Sequence, residues 1–114
     1  MSIPTLSPTV HALAGLAAYE PGTITSQQLL TTPSGSATVF AFAAGEQFRE
    51  HSTAHDALVV VIDGEATVTL GGAEHRVRAG EAFRLPPRAP HAVRAESAMR
   101  MLLVVLRNDL PATL

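Results

Sequence analysis

The fold is decided by two histidine-bearing segments, Gly45-Glu-Gln-Phe-Arg-Glu-His51-Ser-Thr-Ala-His55 and Gly80-Glu-Ala-Phe-Arg-Leu-Pro86-Pro-Arg-Ala-Pro-His91. Each segment begins at a glycine that marks a turn and continues into a strand-like run. Between the segments lie a strongly β-forming run over 57–62, a hairpin-turn signal at Asp63-Gly64 and a hairpin pattern over 65–78. Histidines that meet from separate strands inside a β-barrel can hold a metal ion or a polar ligand.

The strand pattern continues on both sides of this stretch. We predict strands over 23–30, 37–43, 48–51, 57–62, 65–70, 74–78, 82–85, 91–94 and 99–107. Their spacing of roughly ten residues, with glycine or proline turns between them, is typical of an all-β sandwich or barrel. Small and large side chains alternate over 37–43, which predicts a sheet with two unequal faces.

The N-terminal residues differ in pattern from the rest. Ser7-Pro8 has the form of a helix start, with serine as the N-cap and proline at the first helical position. The apolar residues that follow share one face of a short helix, which Pro21-Gly22 ends. We therefore divide the chain into an arm and short helix over 1–22, a barrel over 23–107 and a tail over 108–114.

The composition excludes several kinds of chemistry. The 114 residues include no cysteine and no lysine, which rules out thiol nucleophiles, thiolate metal sites, Schiff bases and a P-loop. The net charge of −2 provides no basic field for nucleic acid. The start of the chain lacks the positive region of a signal peptide, and no apolar run is long enough to span a membrane. We expect a cytoplasmic protein without a nucleic-acid or membrane partner.

The spacing of glycines and histidines resembles the two sequence motifs of the cupin family, in its small single-domain form with a Cupin 2 conserved barrel. The resemblance covers roughly residues 37–105 and implies an all-β jelly-roll barrel, the double-stranded β-helix, preceded by a short N-terminal helix or arm. The matching anchors are Gly45, His51 and Gly64 in the first motif and Gly80, Pro86 and His91 in the second.

The first of these motifs is degenerate. Thr53 stands where the family has a second metal-binding histidine, and Ala57 stands where it has a glutamate. In the second motif, Arg88 replaces a glycine. The resemblance leaves His51 and His91 as ligands of a divalent metal, for which imidazole nitrogen admits Zn, Ni, Fe, Cu or Mn. We expect no organic cofactor.

His55 is a candidate third metal ligand. A strand rises about 3.3 Å per residue, so His51 and His55 on a straight strand would lie about 13 Å apart at their Cα atoms. A shared metal therefore requires residues 52–56 to bulge or loop, which their weak β-propensity permits. The alternative is that His55 lies at the surface or rim.

The barrel interior should form a mostly apolar pocket with a few polar groups. The candidate ligand-binding residues are Gln47, Thr53, Phe83 and Met101. Strand parity allows Gln47, His51, Thr53 and Ala57 to face the same way.

Three functions are compatible with these features. The first is a metal-dependent cupin that acts on a small molecule, resembling a dioxygenase or an isomerase. The second is a metal-free cupin that binds a small ligand as a carrier or sensor, which the loss of two metal ligands favours. The third is a structural or partner-binding module whose pocket is filled by its own side chains. The resemblance also implies a homodimer, in which the N-terminal segment contributes to the interface and the strand over 23–30 is covered.

Overall fold

The computed structural model describes residues 5–108, which form nine strands in two antiparallel sheets. One sheet has the order β1-β2-β9-β4-β7 and the other the order β3-β8-β5-β6. The strands are β1 (Ile24–Thr32), β2 (Gly35–Phe42), β3 (Gln47–His51), β4 (Asp56–Asp63), β5 (Glu65–Leu70), β6 (Ala73–Arg78), β7 (Ala82–Leu85), β8 (His91–Ala95) and β9 (Met99–Leu106). The all-β roll is as predicted, with every strand boundary within two residues.

The main core fills the space between the two sheets. Phe42 is fully buried, and its ring packs edge-on against Phe48, with 4.7 Å between the ring centroids. This contact ties β2 in one sheet to β3 in the other. The buried members of the core are Phe42, Val59, Val61, Ala66, Val68, Val77, Leu85, Val93, Ala95, Met99 and Met101.

The N-terminal arm covers part of the outer face of the five-stranded sheet. A second buried cluster of Ala17, Leu29, Val39 and Ala41 lies there, and Leu6 donates its backbone N–H to the Leu29 carbonyl at 2.8 Å. Strand β2 thus has two unequal faces, as predicted, with its phenylalanines turned inward. Of the predicted tail 108–114, only residue 108 lies within the described residues.

The predicted N-terminal helix does not form. The arm contains a single 3₁₀ turn, Leu13–Gly15, and Val10 is fully exposed. The Ser7 hydroxyl contacts Thr9 and His11 side chains at 3.2 Å each instead of capping a helix. A short helix is marginally stable in water without strong capping. The arm instead packs Leu6, Leu16 and Tyr19 against the sheet. No helix in residues 5–108 is long and apolar enough to cross a membrane.

A cluster of three side chains fastens the arm to the barrel. Tyr19 donates its hydroxyl to Asp63, and Arg100 forms an ion pair with Asp63 at 2.9 Å. The Arg100 guanidinium also lies 3.9 Å from the Tyr19 ring centroid and donates to the Ala17 carbonyl at 2.7 Å. Burial, and then the neighbouring Asp63 carboxylate, raise the pKa of Tyr19 to about 12.

Gly64 marks a corner between the sheets and not the predicted hairpin turn. Strand β4 pairs with β7 and β9, whereas β5 pairs with β6 and β8. The chain changes sheet within this one residue, at a φ of +76°. An added Cβ would lie 2.1 Å from the Ala98 carbonyl oxygen. Only glycine fits this corner without displacing the backbone.

Candidate functional site

A cavity of about 560 Å³ opens between the two sheets, beside the start of β4 and the end of β9. Its wall is mostly apolar, with polar groups concentrated on β3 and on the segment that follows it. The lining residues are Gln47, Phe48, Arg49, His51, Thr53, His55, Ala57, Val59, Leu85, His91, Val93, Met101, Leu103 and Val105. This combination is characteristic of a small-molecule site.

A β-bulge in β3 brings two histidines together in this cavity. Phe48 pairs with Val93 and His51 with His91, so β3 carries one residue more than β8 between these two pairs. The His51 and His91 rings consequently meet across the strands, with 4.5 Å between their centroids and 69° between their planes. His91 is buried, while His51 lies exposed toward the opening.

The backbone sets the orientation of both imidazoles in the same way. The Nδ1 atom of His51 lies 2.9 Å from the carbonyl oxygen of Arg49, and that of His91 lies 3.0 Å from the carbonyl oxygen of Ala89. A carbonyl only accepts, so each Nδ1 carries the proton and each neutral ring has an unprotonated Nε2. Within residues 5–108, neither Nε2 has a hydrogen-bond partner. Each keeps a lone pair available for a ligand.

Burial keeps His91 in this neutral form. Removal from water lowers the pKa of His91 below its ordinary value, and the neighbouring His51 lowers it further, against the opposing effect of the Ala89 carbonyl. A neutral ring with Nδ1 protonated accepts a hydrogen bond, or coordinates a metal, through Nε2. The buried histidine is thus prepared for an acceptor role.

His55 lines the cavity but does not complete a three-histidine group. Residues 52–55 leave the strand, as that arrangement would require. However, the Nδ1 atom of His55 accepts the backbone N–H of Asn108 at 3.2 Å, which leaves the proton of the neutral ring on Nε2. Within the described part of the chain, no three His, Cys, Asp or Glu side chains come together as a metal site. A role for His55 as a third metal ligand stays a prediction.

Thr53 is held by the backbone around it. Its hydroxyl accepts the His55 N–H at 3.2 Å, and its carbonyl accepts the Arg88 N–H at 2.6 Å. The second contact joins the two histidine segments directly. Arg88 adopts a φ of +66° at this point, in the position where the resemblance expects glycine. Thr53 therefore has a clear part in shaping the cavity wall.

Met101 and Gln47 both border the cavity, Met101 as a fully buried wall and Gln47 as an exposed residue of β3. Phe83 is not one of the residues that line the cavity, and its part in ligand binding stays a prediction. Its ring packs against the core and lies 4.8 Å from the His75 ring, where β6 and β7 approach each other. The Phe83 side chain therefore packs near the edge where the two sheets meet.

Sequence reasoning missed Phe48, Arg49 and Val105 as lining residues. Val105 follows Met101 and Leu103 at strand spacing, so extending that alternation along β9 finds it. Arg49 lies two residues from both Gln47 and His51, so the strand parity that groups those two residues also places Arg49 on the cavity side. No signal in the residue types themselves identifies Arg49.

Comparison with known proteins identifies the family of the chain. The sequence profile of the Cupin_2 family, described as a cupin domain, matches residues 38–105. The chain belongs to the cupin family. No curated protein matches this cupin in sequence.

Several solved structures resemble this cupin over most of its length. A conserved protein of unknown function from Streptococcus pyogenes has a TM-score of 0.88 and 30% identity, covering 96% of this chain and 98% of that one. KdgF from Halomonas sp. has a TM-score of 0.69 and 29% identity, covering 81% and 86%. A Cupin 2 conserved barrel domain protein from Leptotrichia buccalis has a TM-score of 0.75 and 37% identity, covering 79% of this cupin but 44% of that chain.

Proposed function

We propose that this cupin binds a small organic molecule in the cavity, with His51 and His91 as the polar anchor. The observation that carries the proposal is the pair of Nε2 lone pairs on rings whose Nδ1 atoms are fixed by carbonyls, beside a mostly apolar cavity of about 560 Å³. Such lone pairs accept a hydrogen bond from an O–H or N–H group. The apolar wall would bury the body of the ligand.

Histidine replacement tests this proposal. Hydroxyl-bearing aromatic fragments, such as substituted phenols, are screened by ligand-observed NMR against the wild-type protein and against His91→Gln. We expect hits whose affinity falls about 5- to 30-fold in His91→Gln, because a hydrogen bond to a buried polar site contributes roughly 1–2 kcal/mol. His75→Gln is the matched control, since His75 lies outside the cavity lining. Equal loss in both variants, or no hits, would contradict the proposal.

A divalent metal held by His51 and His91 is the second candidate. Its specific support is the pair of Nδ1 bonds to backbone carbonyls, because metal-ligating histidines usually donate their other ring N–H in this way. The fit is limited, since Ala57 offers no donor atom and the Thr53 hydroxyl already contacts His55. When bound, the ion would act as a Lewis acid with several coordination positions left for water or ligand. A dioxygenase- or isomerase-like activity would depend on it.

Elemental analysis distinguishes the two candidates. Protein purified without chelator, wild type beside His91→Ala, is measured before and after incubation with Fe, Ni, Zn and Mn. With only two protein nitrogens, we expect substoichiometric metal in the wild type that dialysis removes. One tightly held metal per chain, lost in His91→Ala, would instead establish the metal-dependent candidate.

The homodimer and the cytoplasmic location stay predictions. Strand β1 forms one edge of its sheet, and Leu30 on it is 54% exposed. A second copy could cover this edge.

A further inference from the structure

The lining of the cavity has an uneven charge. It contains three histidines and Arg49, and no aspartate or glutamate. The protein as a whole has ten acidic residues against eight basic ones. The absence of carboxylates from the cavity lining therefore does not reflect the overall composition. A wall with cationic and polar groups but no carboxylate disfavours a cationic ligand and favours an anionic one.

A smaller cavity of about 240 Å³ adjoins the first and extends the same pattern. The two share His55 and Val105 as lining residues, and the second is lined by polar residues of β1 and β2. The Thr31 hydroxyl oxygen there is buried without a hydrogen-bond partner in residues 5–108. The full lining is Gln28, Thr31, Thr32, Gly35, Ser36, His55, Val105 and Arg107, again without a carboxylate.

Within residues 5–108, Arg49 and Arg88 lack the ion pairs that most of the other arginines form. Five others form ion pairs with carboxylates of their own chain, namely Arg76, Arg78, Arg84, Arg94 and Arg100. No ion pair or side-chain hydrogen bond within residues 5–108 involves the Arg49 guanidinium. Its backbone carbonyl holds the His51 ring, so the arginine and the histidine pair occupy one wall. Arg49 is exposed and lines the cavity, and a guanidinium without an internal partner matches a planar carboxylate in geometry and charge.

We infer that the ligand of this cavity is a small organic acid that also carries a hydroxyl group. Its carboxylate pairs with Arg49, its hydroxyl donates to Nε2 of the histidine pair, and its apolar body lies against Val93, Met101 and Leu103. The two polar ends follow from the two kinds of group in the wall, a cation and two acceptors. The inference rests on the proposed function, because it assigns a chemical class to the ligand of that site.

Matched compounds test the inference. The meta and para isomers of hydroxybenzoate and of hydroxyphenylacetate are titrated by NMR beside their primary amides, which keep the skeleton and the hydroxyl but lack the charge. We expect at least one acid to bind at least tenfold more tightly than its amide. In Arg49→Gln this preference should fall below threefold, with the affinity of the amide unchanged. Arg94→Gln, which removes an arginine paired with Glu96, is the control and should keep the preference.

The outcomes distinguish a failure of this inference from a failure of the proposed function. If the amides bind as tightly as the acids, or if Arg49→Gln keeps the full preference, the inference is wrong while the proposed function stands. If neither acids nor amides bind, both the inference and the proposed function are contradicted. Equal loss of preference in Arg94→Gln would also overturn the inference, because it would show a general charge effect.

Discussion

Replacing Gly64 with alanine is expected to destabilise the fold by about 4 kcal/mol, or to prevent folding altogether. The added Cβ would lie 2.1 Å from the Ala98 carbonyl oxygen and 2.8 Å from the Met99 Cα, and both contacts are with backbone. The residue also has a φ of +76°, which disfavours any side chain. Chemical denaturation of the purified variant measures the loss directly.

Gly80→Ala provides the control for backbone strain alone. Gly80 has a φ of +86°, but an added Cβ there would meet nothing within 4 Å. Its replacement should cost only about 1 kcal/mol. Similar losses in the two variants would show that the close approach at the corner between β4 and β5 does not govern stability.

Replacing Arg100 with methionine is expected to cost about 2–3 kcal/mol and to loosen the N-terminal arm. The Arg100 side chain is 17% exposed, and its removal leaves Asp63 and the Ala17 carbonyl without their cationic donor. The estimate is below that for a fully buried pair, because the Asp63 side chain is 36% exposed and partly solvated. Hydrogen exchange should show faster exchange of the Leu6 amide, which the arm normally holds against Leu29.

The matched control is Arg84→Met. Arg84 pairs with Asp56 on the surface, with 66% of its side chain exposed, so its loss should cost less than about 0.5 kcal/mol. An Arg100→Met variant that is as stable as Arg84→Met, with unchanged exchange at Leu6, would contradict the role assigned to the cluster of Tyr19, Asp63 and Arg100.

Most of the fold is predictable because its signals are local. Glycine and proline turns separate β-branched runs, and alternation within a run identifies the inward face, as in β5 with Ala66 and Val68. Which strands pair is not a local property. The Asp63-Gly64 pair is typical of a hairpin turn, yet it forms a corner between sheets, because β4 pairs with β7 and β9 while β5 pairs with β6 and β8.

The candidate site was predictable only in part, for a related reason. His51 and His91 belong to spaced motifs, so their meeting follows from the family resemblance. The bulge that adds a residue to β3 depends on the pairing with β8, and Phe48 and His51 both line the cavity although strand parity would place them on opposite faces. The protonation pattern of the His55 ring depends on one hydrogen bond from the backbone of Asn108, a residue distant in sequence. No pattern in residues 51–55 predicts that contact.

The central claim is that His51 and His91 offer unprotonated Nε2 atoms to a ligand in the cavity. The most direct measurement is a long-range ¹H–¹⁵N spectrum of the imidazole rings, recorded without and with a saturating bound hydroxy acid. We predict that both rings are protonated at Nδ1 and that their Nε2 resonances shift on binding, while those of His11 and His75 do not. A ligand that binds without moving either resonance, or rings protonated at Nε2 in the free protein, would contradict the account.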